Sequence, residues 1–155
     1  MMFGADCVPE SNKRLLLQYR RYLEARHTDV ALIDARMADA SLYALDYTAE
    51  CLYGSDIAEM NAFDVYCFLA DYAICHQPHG SEETIARVLE SIAAFAAFLE
   101  DEAAIDMEDM YEVARLCQDP KPYLDRWQEY RRLLAAKDSA GLKRWRESVL
   151  DSFGA

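Results

Sequence analysis

A chain of 155 residues that is 53% apolar and 28% charged is long enough to bury a core of its own and too apolar to stay disordered. No run approaches the roughly 18 consecutive apolar residues of a membrane span, and the N-terminus lacks the basic-then-apolar order of a secretory signal, so a cytoplasmic protein is expected. The net charge of −12 is segregated, with five basic and three acidic side chains in 1–27, three basic (Arg36, Arg87, Arg115) and twenty acidic in 28–120, and eight basic and five acidic in 121–155. An acidic middle between mildly basic ends bears on partners rather than on fold.

Five glycines and four prolines are few for this length, and helices are the elements that tolerate these residues least. Residues 1–12 read as a loosely ordered start to a single domain spanning 1–155. Leu16, Tyr19 and Leu23 then recur at helical spacing and predict a first helix over 13–27. Thr28-Asp29 offers an N-cap for a second helix reaching about residue 53, with Ile33, Met37, Ala40, Ala44, Tyr47 and Cys51 as its inner stripe and Gly54 as its C-cap.

A third helix is expected to start near Ser55 or Asp56, with Glu59 three residues after Asp56 completing a capping box. From Phe63 to Ile74 that helix is apolar on nearly every side, with Asp64 and Asp71 its only charges, which belongs at the centre of a bundle. Gln77-Pro78-His79-Gly80 breaks the chain. Ser81 caps a strongly amphipathic helix in which Ile85, Val88, Leu89, Ile92, Phe95, Ala96 and Leu99 form one stripe. An acidic loop over 100–106 precedes a shorter helix through Met107, Met110, Tyr111, Ala114 and Cys117, which Pro120 and Pro122 end. Two basic, tryptophan-bearing helices over 124–137 and 141–153 complete an expected all-α, single-domain bundle of six to seven helices. The five cysteines (Cys7, Cys51, Cys67, Cys75, Cys117) form no C-x-x-C pair and read as reduced thiols.

Two stretches carry a family resemblance. Phe68-Leu69-Ala70-Asp71-Tyr72 precedes Ser81-Glu82-Glu83-Thr84-Ile85 and Ser91-Ile92-Ala93-Ala94-Phe95-Ala96-Ala97-Phe98-Leu99, then Ile105-Asp106-Met107-Glu108-Asp109. This succession resembles a group of uncharacterised bacterial helical proteins, whose ending Trp127-Gln128-Glu129-Tyr130 also fits. The same plan over about 60–115 is similar to the SAM-like, core-binding N-terminal domain of tyrosine recombinases and phage integrases. That likeness implies a SAM-like helical fold. It implies no recombinase chemistry, because that family keeps its nucleophilic tyrosine and arginines in a separate catalytic domain. The family's DNA-gripping surface is basic, whereas 60–115 is the most acidic part of this chain.

The constellations that could carry chemistry are few. Cys75, His76 and His79, with Cys67 two turns earlier, have metal-ligand side chains, but their spacing matches no zinc pattern, and imidazoles at a helix C-terminus also suit the dipole. Glu24-Ala25-Arg26-His27 is a single E-x-x-H, an element di-iron bundles use in pairs. Asp46, Glu50, Asp64 and Asp71 could converge as carboxylates, yet no nucleophile–base pair stands beside them. No catalytic residue, metal or cofactor is therefore assigned.

Arginines near aromatics at the C-terminal end carry more weight. Arg126, Trp127, Tyr130, Arg131 and Trp145 have the composition of a binding hot spot, and nucleic-acid surfaces share it. Alternatively, the basic helices dock onto the acidic middle of the same chain. The expected function is a non-enzymatic interaction module that binds a protein partner or itself. The alternatives are a DNA-associated accessory protein, which the net charge disfavours, and a small-molecule or metal site near Cys75–His79.

Overall fold

The computed structural model describes residues 8–77 and 80–153. It is all-α, with seven helices and no strand among the described residues. Helix α1 is Glu10–Arg26. Helix α2 runs without a break through Val30–Ser41, Leu42–Tyr47 and Thr48–Cys51, the middle stretch being π-helical. After a 3-10 turn at Ile57–Glu59, α3 runs through Ala62–Cys67, the π-helical Phe68–Tyr72, and Ala73–Cys75. Then come α4 (Glu82–Asp101), α5 (Met107–Gln118), α6 (Lys121–Ala135) and α7 (Ser139–Glu147, with a last turn Val149–Ser152).

Polar side chains start most of these helices. Asp29, Asn61, Ser81, Asp106 and Asp138 each accept a backbone N–H of the first turn, and at α4 Ser81 and Thr84 cap reciprocally. Such caps are worth about 1 kcal/mol each. The expectation of a loose segment over 1–12 needs correction at its inner end. Helix α1 starts at Glu10, and Asn12 is fully buried. Its Nδ2 donates to Ala44 O and Ser55 O, both at 3.1 Å, and its Oδ1 accepts Ile57 N–H at 2.8 Å. One amide thus ties α1 to α2 and to the turn beyond it. Residues 1–7 lie outside the described part.

Helix α3 is central, as its all-round apolarity predicted, with Val65, Phe68, Leu69, Ala70, Tyr72, Ala73 and Ile74 buried. It packs against α2, α5 and α6, while α4 packs against α2 and α5. The two π stretches face each other and carry a cluster of rings. Tyr43, Tyr47, Phe68 and Tyr72 meet at centroid distances of 5.1–5.3 Å between the helices. A π turn inserts one residue and swings the inner face by about 100°. This is why Cys51, placed on the stripe by a strict 3.6 period, is exposed although Ala44 and Tyr47 before it are buried. Phe63, also expected inside, is exposed because it lies in the first turn of α3, beyond the neighbouring helices.

The terminal helices dock by apolar burial, with little help from charge. Tyr19 of α1 sits between Phe95 and Phe98 of α4 at 5.0 and 4.9 Å. Tyr123, Trp127, Leu133 and Trp145 are buried at the other end. Among the described residues only Arg20–Asp34 (3.5 Å) and Arg146–Asp71 (3.3 Å) join a basic terminal helix to the acidic middle by an ion pair. Pairs this exposed contribute about 0–1 kcal/mol, against about 1.5–3 kcal/mol for each large apolar side chain buried.

One ion pair is different in kind. Asp39 of α2, its side chain 3% exposed, accepts from Arg87 Nε and Nη2 of α4 at 3.1 Å each and from Ser91 Oγ at 2.7 Å. With Arg36 of α2 reaching Ser91 (3.5 Å) and Glu90 (3.8 Å) beside it, this pair helps hold the two helices in one register.

The helix ends hold a second surprise. Gly54 does not close α2 alone: Leu52 is the cap, and Tyr53 and Gly54 both take left-handed backbone, at φ 55° and 76°. Ala103 (φ 57°) and Lys137 (φ 52°) occupy the left-handed position after α4 and α6, where glycine is usual. At α7, Gly141 is required by a close approach, since a Cβ there would overlap the Asp138 carboxylate and lie 2.6 Å from Leu133 Cδ2.

Candidate functional site

The site begins at the corner between α5 and α6. Asp106 caps α5, which then carries Arg115 and Leu116 to its C-terminal end, and Pro120 and Pro122 start α6 directly after. Proline suits a first helical turn because its missing N–H has no helical partner there. Tyr123 O–H donates to Leu116 O at 2.9 Å, satisfying a carbonyl left over at the end of α5. With the corner fixed, a cleft of about 380 Å3 opens between α3, α5, α6 and the last turn of the chain. It is lined by Tyr66, Arg115, Leu116, Asp119, Tyr123, Arg126 and Phe153, with Pro122 and Ser152 at its edge.

Arg126 is pinned at the cleft wall. Its Nε donates to Ala70 O at 2.6 Å, Nη1 to Ser148 Oγ at 3.1 Å and Nη2 to Trp145 O at 3.0 Å. The guanidinium also lies 4.2 Å from the Trp145 ring, and Trp145 Nε1–H donates back to Arg126 O at 3.1 Å. Burial pulls the Arg126 pKa below its ordinary value, as expected for a cation whose bonds all go to neutral acceptors. Burial likewise pushes the Tyr123 phenol up, so it stays a neutral donor. Phe153 closes one side, 5.4 Å from Tyr66 and edge-on to the exposed Phe63 at 5.2 Å.

Of the five residues expected to bind a partner, the structure brings only Arg126 to this cleft. Trp127 and Trp145 are buried, and the Tyr130 ring packs tilted against Trp145 at 4.9 Å as part of the seam between α6 and α7. Arg131 is exposed but lies 4.9 Å over the Trp127 ring. The expectation of a free Trp-rich surface is corrected accordingly. Arginine–aromatic composition does not distinguish an external hot spot from an internal clamp, and here most of it is the clamp.

The other constellations come together only in part, Asp46 and Glu50 being near enough that burial, and then the Glu50 charge, push the Asp46 carboxyl above its ordinary value. Glu24 pairs with Arg20 at 3.0 Å on α1 and is not joined to any second E-x-x-H. Asp64 accepts from Asn61 at the start of α3. Glu50 accepts Tyr72 O–H at 2.9 Å, Asp71 pairs with Arg146, and Cys75 donates to Asp71 at 3.4 Å. The Cys75 thiol is pushed up to about 11 by burial and by Asp71, and burial raises Cys51 and Cys67 as well. Protonated thiols are poor nucleophiles and poor metal ligands. His76 stacks on Tyr72 at 3.9 Å with Nδ1 2.8 Å from Tyr72 O, the helix-end role that was the alternative to metal binding. His79 lies outside the described residues. Among those described, no three His, Cys, Asp or Glu side chains are grouped to hold a metal.

Tyr66, Arg115, Asp119, Tyr123 and Phe153 were not singled out from the sequence as site residues. Arg115 alone left a trace in the sequence, as one of three basic residues in the acidic middle, and only the structure sets it apart from the other two. Of the three basic residues in the acidic middle, Arg87 is engaged by Asp39 and Arg36 by Ser91 and Glu90, which leaves Arg115. No described helix is long and apolar enough to cross a membrane. No family model, curated protein or solved structure matches this chain.

Proposed function

We propose that the protein is a non-enzymatic, cytosolic interaction module, and that it engages a protein partner at the end of the bundle that holds the cleft. The observation that carries this reading is the concentration of exposed apolar and arginine side chains there. Phe63 (43% exposed) and Phe153 (38%) stand at one rim of the cleft. On α5, Met107 (56%) and Tyr111 (59%) lie two turns and one turn before Arg115, on the same helical face. Aromatic residues, methionine and arginine are the types enriched in interface cores. A partner of different sequence suits the site better than a second copy, because two chains of net charge −12 repel.

The DNA-associated alternative, with its SAM-like core-binding plan over 60–115, has less behind it. That stretch holds twelve acidic and two basic residues, and one of the two, Arg87, is tied to Asp39. Parallel pull-downs with the wild type, Tyr111→Glu and Arg115→Glu, with and without nuclease, test the reading. A protein that survives nuclease and moderate salt with the wild type and is lost with both variants supports it. The same proteins recovered by all three baits, or recovery that depends on nucleic acid, refutes it.

A further inference from the structure

Arg126 presents a problem of its own. A half-buried guanidinium normally has a carboxylate beside it, since desolvating a cation without a counter-charge costs several kcal/mol. Its three hydrogen bonds go to two carbonyls and a hydroxyl, none of them charged. Asp71, whose charge reaches it, is already paired with Arg146. A guanidinium has five N–H groups, so two remain, one on each terminal nitrogen. Arg115 lines the same cleft, and among the described residues it has no ion pair or hydrogen bond. Tyr66, 7% exposed, also lines it, and no described residue accepts from its hydroxyl. Beside these donors stand the apolar faces of Leu116, Pro122 and Phe153.

We infer that the cleft is a receptor for an oxyanion, a carboxylate or phosphate, carried on a flat apolar body. The anion lies between Arg126 and Arg115 with the Tyr66 hydroxyl as a further donor, and the body stacks along Phe153 and Leu116. The volume, about 380 Å3, falls within the range of small-molecule sites. Asp119 on the same wall disfavours a bare polyanion and favours a ligand whose charge is confined to one end. This inference rests on the reading of the cleft as the binding face, and it names the chemistry that face recognises.

Calorimetric titration of the full chain with benzoate, phenyl phosphate, inorganic phosphate and the neutral benzamide tests it. Benzoate or phenyl phosphate is expected to bind at least about tenfold more tightly than inorganic phosphate or benzamide, and the tighter of the two identifies the anion. Arg115→Gln is expected to weaken that binding about tenfold and Tyr66→Phe several-fold, each with an unchanged melting temperature, because Arg115 is exposed and the Tyr66 ring is kept. No binding of either aryl anion, equal binding of benzamide or inorganic phosphate, or full affinity in Arg115→Gln overturns it. Its failure is separable from that of the interaction reading. If Tyr111→Glu abolishes partner capture while no aryl anion binds, the oxyanion receptor falls and the interface stands.

Discussion

Replacing Arg87 by Met isolates the one buried charge that helps hold two helices in register. The methionine keeps most of the stem that covers α4 and removes both hydrogen bonds to Asp39, leaving a carboxylate at 3% exposure with Ser91 as its remaining close donor. Removing one partner of a buried pair costs about 3–5 kcal/mol. Arg87 itself is 43% exposed, so water entering along its path replaces part of what is lost, and we expect about 2–3 kcal/mol. For a chain of this length that is a fall in melting temperature of about 5–10 °C. Urea unfolding followed by far-UV circular dichroism measures it. The double variant Asp39→Leu/Arg87→Met, which removes the stranded charge, is expected to recover more than half of the loss. A loss below about 1 kcal/mol in Arg87→Met, or a double variant less stable than the single one, would show that Asp39 does not depend on Arg87 for its charge.

Asn12→Ala strands the Ile57 N–H and takes a donor from Ser55 O, while Ala44 O keeps Thr48 Oγ1, and should destabilise by about 1–3 kcal/mol in the same urea assay. Ala103→Gly and Lys137→Gly relieve left-handed strain at the ends of α4 and α6, and each is expected to raise stability by about 0.5 kcal/mol, read as a later urea midpoint at constant slope. Cys75 titrates at about 11 in the folded chain against an ordinary value of 9.0, because burial, and then Asp71, disfavour the thiolate. Its raised pKa contributes stability that is fully present below pH 9.0 and is lost as pH rises towards 11. The Cys75→Ser variant should therefore lose less stability than the wild type over that interval, and iodoacetamide at neutral pH should label the exposed Cys51 before Cys75 in the folded protein.

The sequence by itself determined the helices and their order, because local periodicity and capping chemistry are written in neighbouring residues. The Ser81 cap, the apolar stripe from Ile85 to Leu99 and the all-round apolarity of α3 each sufficed to place an element and its buried face. The π stretches were not legible in this way. They lie where Tyr43 and Tyr47 meet Phe68 and Tyr72 across two helices, a contact between residues more than twenty positions apart, and beyond Tyr47 the inner face of α2 no longer includes Cys51. The cleft was illegible for the same reason. Tyr66, Arg115 and Arg126 belong to three helices and Phe153 follows a fourth, and only the α5–α6 corner and the docking of α7 bring them together. Composition marked the C-terminal tryptophans and arginines as special. Tertiary packing decided that the tryptophans fasten α6 to α7 while Arg126 faces a cleft, because an indole beside a guanidinium satisfies the same chemistry inside a chain as between chains.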